Sequence, residues 1–430
     1  MGIILIASLD IEYREEFLSY KSLGFYGIED IDLSSKKVLL RLDLNSPIDP
    51  KTKRISDDSR IRAHAESVKK LIEMGAGVAI IAHQGRPGDS DFTTLMEHCE
   101  RLSKYSGYSI EYVDDIIGPY AIKRISSLGS GEAIMLENIR FLSEEMIEAP
   151  PEVQAGRIYV RKLSKHFDIY VNDAFGASHR SQPSIVGFPV VMRGVAGPIM
   201  GRELLELSNT FSEENRPRIF VLGGAKVQDT VKIIRNIVSR RAADAILLTG
   251  VISLVYHMAL GRDLGDENRA FLSSKGYTQL LENVRETLKG GVPIMLPRDY
   301  RILRGEAVEN LEVDDLRVGG RALDIGEETI EEYSRIMRGA RVIVMRGPAG
   351  YIEDERFRAG TEALLREALS SGARVIIGGG HLGSMVPEDY DRSRVLVSTG
   401  GGALLTYLSG ELLPAVEALK ISAKRWWRWV

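Results

Sequence analysis

Side chains able to grip an oxyanion recur through the first half of the chain, each just after a short apolar run. Leu40-Arg41-Leu42-Asp43-Leu44-Asn45 alternates apolar and polar residues. A strand repeats every two residues, so Arg41, Asp43 and Asn45 share a face. Val78–Ala82 leads into His83-Gln84-Gly85-Arg86-Pro87, Ala133–Leu136 into Glu137-Asn138-Ile139-Arg140, and Asp168–Val171 into Asn172-Asp173 with His179-Arg180 behind. Arg60 opens the helical pattern after the first run. One such arginine alone suits a surface salt bridge, and one histidine a structural hydrogen bond. Together, five arginines and two histidines at successive run ends form an anion pocket, because the planar guanidinium matches phosphate and carboxylate oxygens. A small, doubly anionic substrate is the expected ligand.

The second half answers with glycine. Ile219–Leu222 ends in Gly223-Gly224-Ala225-Lys226, and Val342–Met345 in Arg346-Gly347-Pro348-Ala349-Gly350. Val375–Ile377 ends in Gly378-Gly379-Gly380-His381, and Val395–Val397 in Ser398-Thr399-Gly400-Gly401-Gly402-Ala403. Each cluster alone could serve a tight turn. Four of them suit backbone N–H groups approaching the phosphates of a nucleotide, with Lys226 placed to neutralise a phosphoryl group in transfer. The chain has no G-x-x-x-x-G-K-[ST] stretch. Gly378–Gly383 fits G-x-G-x-x-G, but the next run ends in Ser398-Thr399 rather than in the acidic residue that holds a dinucleotide ribose.

These runs, with Ala245–Leu248 and Pro293–Leu296, make ten short buried strands separated by amphipathic helical stretches, the pattern of βαβ units and parallel sheets. Ligands of such sheets gather at strand carboxyl ends, where the arginines and glycines stand. After a cap-like Asp57, the residues Ile61, Ala65, Val68, Leu71 and Ile72 follow a 3.6 period, and Gly75 and Gly77 mark the turn out. Arg193–Leu207 reads as a helix joining two halves, which sets the boundary near residues 195–208.

A chain of 430 residues needs two cores. Its 44% hydrophobic and 27% charged residues are globular, and a net charge of −4 speaks against bulk nucleic-acid binding. The single cysteine, Cys99, excludes an internal disulfide and a Cys-rich zinc site and suits a reducing cytoplasm. Ile3–Ala7 is too short to span a membrane and lacks the basic flank of a signal peptide. The closing segment carries Trp426, Trp427 and Trp429 beside Lys424, Arg425 and Arg428, and reads as a tail docked on the body or on a second subunit.

The ordered motifs resemble the phosphoglycerate kinase family, with an archaeal flavour. They are Arg41-Leu-Asp43-Leu-Asn45-Ser-Pro47, His83-Gln-Gly85-Arg86-Pro87, Leu136-Glu-Asn138-Ile-Arg140-Phe and Asn172-Asp-Ala-Phe175-Gly-Ala-Ser-His179-Arg180. Leu222-Gly-Gly224-Ala-Lys226-Val, Asp324-Ile-Gly326, Gly347-Pro-Ala-Gly350-Tyr-Ile-Glu353, Gly378-Gly-Gly380 and Ser398-Thr-Gly-Gly-Gly402-Ala403 follow in the family's order. They cover roughly residues 36–420, with about thirty residues ahead of the first matched strand.

The resemblance implies an α/β chain of two Rossmann-like three-layer domains with parallel sheets, joined by an interdomain helix and hinge. Mapped here, residues 1–195 form the triose-phosphate domain, with 1–30 an extension, and 196–208 the interdomain helix. Residues 209–405 form the nucleotide domain, and 406–430 return to the first. It implies reversible phosphoryl transfer between 1,3-bisphosphoglycerate and ADP, a step of glycolysis and gluconeogenesis, with Mg2+ accompanying ATP or ADP. Asp43, Asn45, Arg60, His83, Gly85, Arg86, Arg140 and Arg180 are then expected on the triose. Gly224, Lys226, Gly347, Gly378, Gly379, Gly380, His381 and Leu382 are expected at the nucleotide phosphates, and Glu353 at the ribose. Arg60 and Lys226 are expected to stabilise the phosphoryl group in flight.

The chain departs from many family members at four places. His381 replaces an Asp that helps hold magnesium, Thr230 a second lysine, Arg346 an Asn, and Gln182 a His. The metal ligand is therefore unassigned, and Arg346 is expected to supply the charge that Thr230 lacks. A catalytically silent nucleotide-binding relative is the competing expectation, and monomer and dimer both remain open.

Overall fold

Six parallel strands build the first sheet: β1 (Lys37–Arg41), β2 (Gly77–Ile81), β3 (Ile110–Val113), β4 (Ala133–Leu136), β5 (Ile169–Asn172) and β6 (Arg193–Ala196), in the order β3-β4-β2-β1-β5-β6. The computed structural model describes residues 20–210, 212–398 and 400–427. The expectations for residues 1–19, and those for Thr399, Arg428 and Trp429, lie outside them. Successive residues of one strand face opposite cores: Val38 and Leu40 enter one cluster, and Leu39 enters the other. The first cluster is covered by the helix Ser59–Glu73, whose Ile61, Ala65, Val68, Leu71 and Ile72 are all buried. Helices Pro119–Ser126 and Ile158–Leu163 cover the other face. Burial on both faces explains why β1, β2, β4 and β5 read as continuous apolar runs.

The second sheet repeats the plan with β7 (Arg218–Leu222), β8 (Ala245–Leu248), β9 (Ile294–Met295), β13 (Val342–Arg346), β14 (Arg374–Gly378) and β15 (Val395–Val397). All are parallel, in the order β15-β14-β13-β7-β8-β9. Phe220 and Leu222 pack on one side, Ile219 and Val221 on the other. Between β9 and β13 lies a three-stranded antiparallel sheet, β10 (Asp299–Arg304), β11 (Ala307–Glu312) and β12 (Arg321–Ile325), in the order β11-β10-β12.

The segment read as one helix from Arg193 divides in two. Arg193–Ala196 pairs with β5 as the edge strand β6, and the helix runs over Pro198–Thr210. Gly197 interrupts the pattern, and Pro198 suits a first helical position because its missing N–H would have had no intrahelical partner. This helix leads from the first sheet to the second. At the chain's other end, the helix Pro414–Trp426 packs on β6, where Ser422 Oγ accepts from Gly194 N at 2.7 Å. Trp427 packs on Tyr26 with ring centroids 5.0 Å apart and the planes tilted by 32°, beneath the Arg193 guanidinium. The part of the tryptophan tail that is described is thus docked on the first half.

Candidate active site

The alternation read at β1 persists past its last ladder bond: Leu40, Leu42 and Leu44 all enter the same core. That anchoring delivers Asp43 and Asn45 to the carboxyl edge of the sheet. Asp43 Oδ2 receives the Arg60 guanidinium at 2.8 Å, and Asn45 Oδ1 receives the Gly85 N–H at 2.8 Å. Arg60 is the second residue of helix Ser59–Glu73, whose start is held by Asp57 Oδ1 accepting from Ser59 N at 2.9 Å. The flanking residue is Asp58, whose carboxylate goes to Arg62 and Arg101 instead.

Gly85 has φ of +63°, and a Cβ there would stand 2.6 Å from the backbone of Asp91 and Phe92. Only glycine lets the loop after β2 fold so tightly. Behind it, Gln84 bridges Ser46 and Asp91, and Asn138 Nδ2 donates to the carbonyls of Gln84 and Thr93 at 2.8 Å each. His98 Nε2 closes the network on Gln84 Oε1 at 2.9 Å. These buried amides position His83, Gly85 and Arg140, and their partners lie too far away in sequence to be foreseen.

The cations gather at the ends of four adjacent strands, β4, β2, β1 and β5. Arg140 is buried and donates to the Gly85 carbonyl, while its Nε and Nη2 have no hydrogen-bond partner among the described residues. Burial, then Arg180 and Arg41, bring its pKa down to about 10. Arg180 is likewise lowered, by burial and by Arg86 and Arg41 against the pull of Asp43. His83, 2% exposed, is held well below the usual imidazole range by burial and by Arg41, Arg140, Arg180 and Arg60. Mutual repulsion that the nearby carboxylates offset only in part adds to burial, and a bound dianion relieves it. Arg86 lies exposed at the rim. Arg41 differs from the expectation: it is fully buried, with its guanidinium engaged by Ser184, the Leu42 carbonyl and His83. His179 is half-buried against the Gly402 backbone of the second half, where a Cβ would stand 2.9 Å from its ring.

In the second sheet, the loops after β7, β8 and β13 interlock through glycine. Gly223 N donates to the Arg346 carbonyl and Gly224 N to the Pro348 carbonyl, each at 2.8 Å. Gly347 has φ of +77°, and a Cβ there would meet the Gly223 carbonyl oxygen at 2.4 Å. Lys226 flanks the start of helix Val227–Arg240, is exposed, and its ammonium has no partner among the described residues. Four residues on, Thr230 is buried, and the Arg346 guanidinium donates to its Oγ1 at 3.3 Å. Two of the departing residues thus touch.

Open space surrounds Gly379 and Gly380 after β14, while Gly378 is sealed against Leu404. His381 is exposed, with Nδ1 4.0 Å from Glu353 Oε1, and Leu382 is buried below it. Among the described residues no three His, Cys, Asp or Glu side chains converge as a metal site. The halves meet where Phe175-Gly176, after β5, lie against Gly400, after β15; a Cβ on Gly400 would be 2.7 Å from Phe175. Carboxyl ends of the two sheets therefore face each other there.

The family model for phosphoglycerate kinase matches residues 28–411. The phosphoglycerate kinase of Sulfurisphaera tokodaii is 51% identical over 399 residues, covering 92% of this chain and 95% of that protein. That of Saccharolobus solfataricus is 48% identical over 398 residues, covering 92% and 97%. The crystal structure of phosphoglycerate kinase from Pyrococcus horikoshii superposes with a TM-score of 0.84 at 37% identity, over 93% of this chain and 100% of that one.

Proposed function

The chain belongs to the phosphoglycerate kinase family, and from that premise we propose that it transfers a phosphoryl group reversibly between 1,3-bisphosphoglycerate and ADP, giving 3-phosphoglycerate and ATP. The observation that carries the triose assignment is the crowd of cations in which burial, and after it mutual repulsion, lowers Arg140, Arg180 and His83. In this reading Arg86, Arg140 and Arg180 take the phosphate and carboxylate oxygens. His83 donates to the triose, and Gly85 supplies the tight turn that Asn45 holds. Asp43 pins Arg60 at 2.8 Å, aiming it toward the nucleotide side.

The Mg-nucleotide is assigned to the second half. The backbone at Gly224, Gly347, Gly378, Gly379 and Gly380 approaches the phosphates over Leu382, with His381 at the rim and Glu353 on the ribose. Mg2+ would enter as part of that substrate, with the nucleotide phosphates; a hard cation that keeps several of its waters needs few protein ligands. Arg346, reaching Thr230, supplies the second positive charge beside Lys226.

In the direction of acyl-phosphate formation the nucleophile is a carboxylate already ionised at neutral pH, so no general base is required. Catalysis rests on in-line positioning and charge stabilisation by Arg60 and Lys226. Bringing a triose on the first half to a nucleotide on the second requires the halves to close, which also excludes water from the acyl phosphate. The division at 1–195, 196–208, 209–405 and 406–430 belongs to this reading, with the first joint better drawn after β6 at Ala196. A cytoplasmic location is proposed as well; no helix among the described residues is long and apolar enough to cross a membrane.

A coupled assay with 3-phosphoglycerate and Mg-ATP tests the proposal. Turnover that requires both substrates is expected. Binding of both without turnover would overturn it in favour of a silent relative, a reading that the unpaired Lys226 and the pinned Arg60 do not favour.

A further inference from the structure

Arg41 is a cation buried away from the surface of the pocket it adjoins. Its Nε donates to Ser184 Oγ at 3.0 Å, its Nη1 to the Leu42 carbonyl, and its Nη2 lies 2.9 Å from His83 Nδ1. Ser184 Oγ donates in turn to Glu145 Oε1 at 2.5 Å, and Glu145 Oε2 accepts from Ser184 N at 3.1 Å and from the Tyr159 hydroxyl. Arg41, Ser184, Glu145 and Tyr159 are all fully buried. The Arg41 end of this relay is set, because a guanidinium has donors and no acceptor, so Ser184 Oγ receives from Nε and has its own O–H left for Glu145.

The same logic reaches His83. Its Nδ1 faces a group that can only donate, so Nδ1 must accept and the ring proton must sit on Nε2. A proton on Nδ1, whether in the other neutral tautomer or in the imidazolium, would set two N–H groups against each other at 2.9 Å.

We propose that Arg41 is a positioning residue that locks His83 as the neutral Nε2–H tautomer, so that His83 offers the substrate one directed hydrogen bond and no charge. The proposal rests on the triose reading only for the identity of the acceptor. Burial and the four arginines facing the ring, Arg41, Arg60, Arg140 and Arg180, all disfavour the imidazolium, and the one buried carboxylate of the relay, Glu145, reaches Arg41 through Ser184. The group of cations thus provides charge, while His83 provides direction that does not change across neutral pH.

The test uses the full chain labelled with 15N-histidine. The sequence has seven histidines, so the His83 signals are identified by their loss in His83→Gln. In the ligand-free wild type the expected spectrum has Nε2 protonated and Nδ1 bare, unchanged from about pH 5 to about pH 8. Arg41→Lys retains a donor and should keep that spectrum. Arg41→Met removes it and should give mixed tautomers, with the triose KM raised roughly two- to tenfold and the nucleotide KM unmoved. A wild-type His83 protonated on Nδ1, or titrating near its ordinary value, would overturn the proposal, as would an unchanged tautomer in Arg41→Met. Should Arg41→Met fail to fold, the wild-type and Arg41→Lys spectra still decide. The expected tautomer with no triose binding would instead overturn the ligand assignment and leave the lock established.

Discussion

Replacing Arg346 by Met separates a functional cation from a structural one, because the two roles predict opposite changes. Arg346 ends β13, paired in register with Leu222 of β7 and Gly378 of β14, and is 8% exposed. Its guanidinium makes one long hydrogen bond, 3.3 Å to Thr230 Oγ1, and no ion pair among the described residues. Burial lowers its pKa, with only Asp229 acting the other way. Folding therefore pays to desolvate this charge, and Met, of similar reach, removes that cost. Stability should stay level or rise, by up to about 1–3 kcal/mol.

Binding should move the other way. A hydrogen bond from a charged donor contributes about 1.5–3 kcal/mol. At about 1.4 kcal/mol per factor of ten, its loss raises the KM for Mg-ADP and Mg-ATP about ten- to hundredfold. The triose KM should stay within about twofold, since Arg346 stands on the other half of the molecule. Steady-state kinetics on both substrates and a denaturant midpoint supply the readouts. Unchanged nucleotide KM and kcat, or a stability loss with both affinities falling together, would refute the reasoning.

Lys226→Ala should lower kcat by roughly 10²–10⁴ and leave triose affinity near wild type, measured by turnover and by equilibrium binding. Asp173→Ala should destabilise the fold by about 2–5 kcal/mol in urea titration, because Asp173 Oδ1 accepts from Ile199 N and Met200 N at the start of helix Pro198–Thr210, and both are buried. Two histidines outside the pocket set an acid limit on stability. Burial lowers His98 and His257 to about 4, so the stability they permit is full above their unfolded pKa of about 6.5 and is lost as pH falls toward 4. The slope is at most about 1.4 kcal/mol per pH unit for each, and His257→Asn should lessen it in unfolding followed across that range. Asp324, raised to about 7 by burial, opposes them: its contribution is present below about 3.8 and lost as pH rises through 7, so Asp324→Asn should gain more stability at pH ~8 than at pH ~5.

Strands buried on both faces are legible because an unbroken apolar run leaves little choice; the ten runs match strands to within a residue or two, although β9, at the edge of its sheet, is only half-buried. The edge strand β3 buries only its two ends, Ile110 and Val113, and β6, Arg193-Gly194-Val195-Ala196, opens on an exposed arginine and is broken by glycine. The antiparallel β10–β12 mixes Arg, Glu and Asp among its apolar residues, so that a pair as short as Tyr300 and Ile302 is all that marks the buried face of β10. In the pocket, residue types showed that arginine and glycine stand at strand ends. They could not show that Arg41 turns inward to Ser184, or that Gln84, Asn138 and His98 form one network. Those contacts join residues 14 to 143 positions apart, and no local pattern encodes them.

A reaction whose nucleophile is already ionised asks the protein for distance and charge rather than for proton transfer. The groups that hold the reacting side chains then matter as much as those side chains. Asp173 illustrates this. One of its oxygens lies 3.2 Å from His64, a single turn beyond Arg60 on the same helix, and the other caps the helix leading to the second sheet. Two residues on, Phe175-Gly176 touches Gly400 across the junction. The end of β5 therefore bears on the helix that carries Arg60, on the connection between the halves, and on the surface where they meet. A rotation of one half against the other must strain or reorient these contacts, so closure and the aim of Arg60 cannot be set independently. This is the physical reason to expect that substitutions at Asp173 or His64, which touch no substrate, will alter turnover as well as stability.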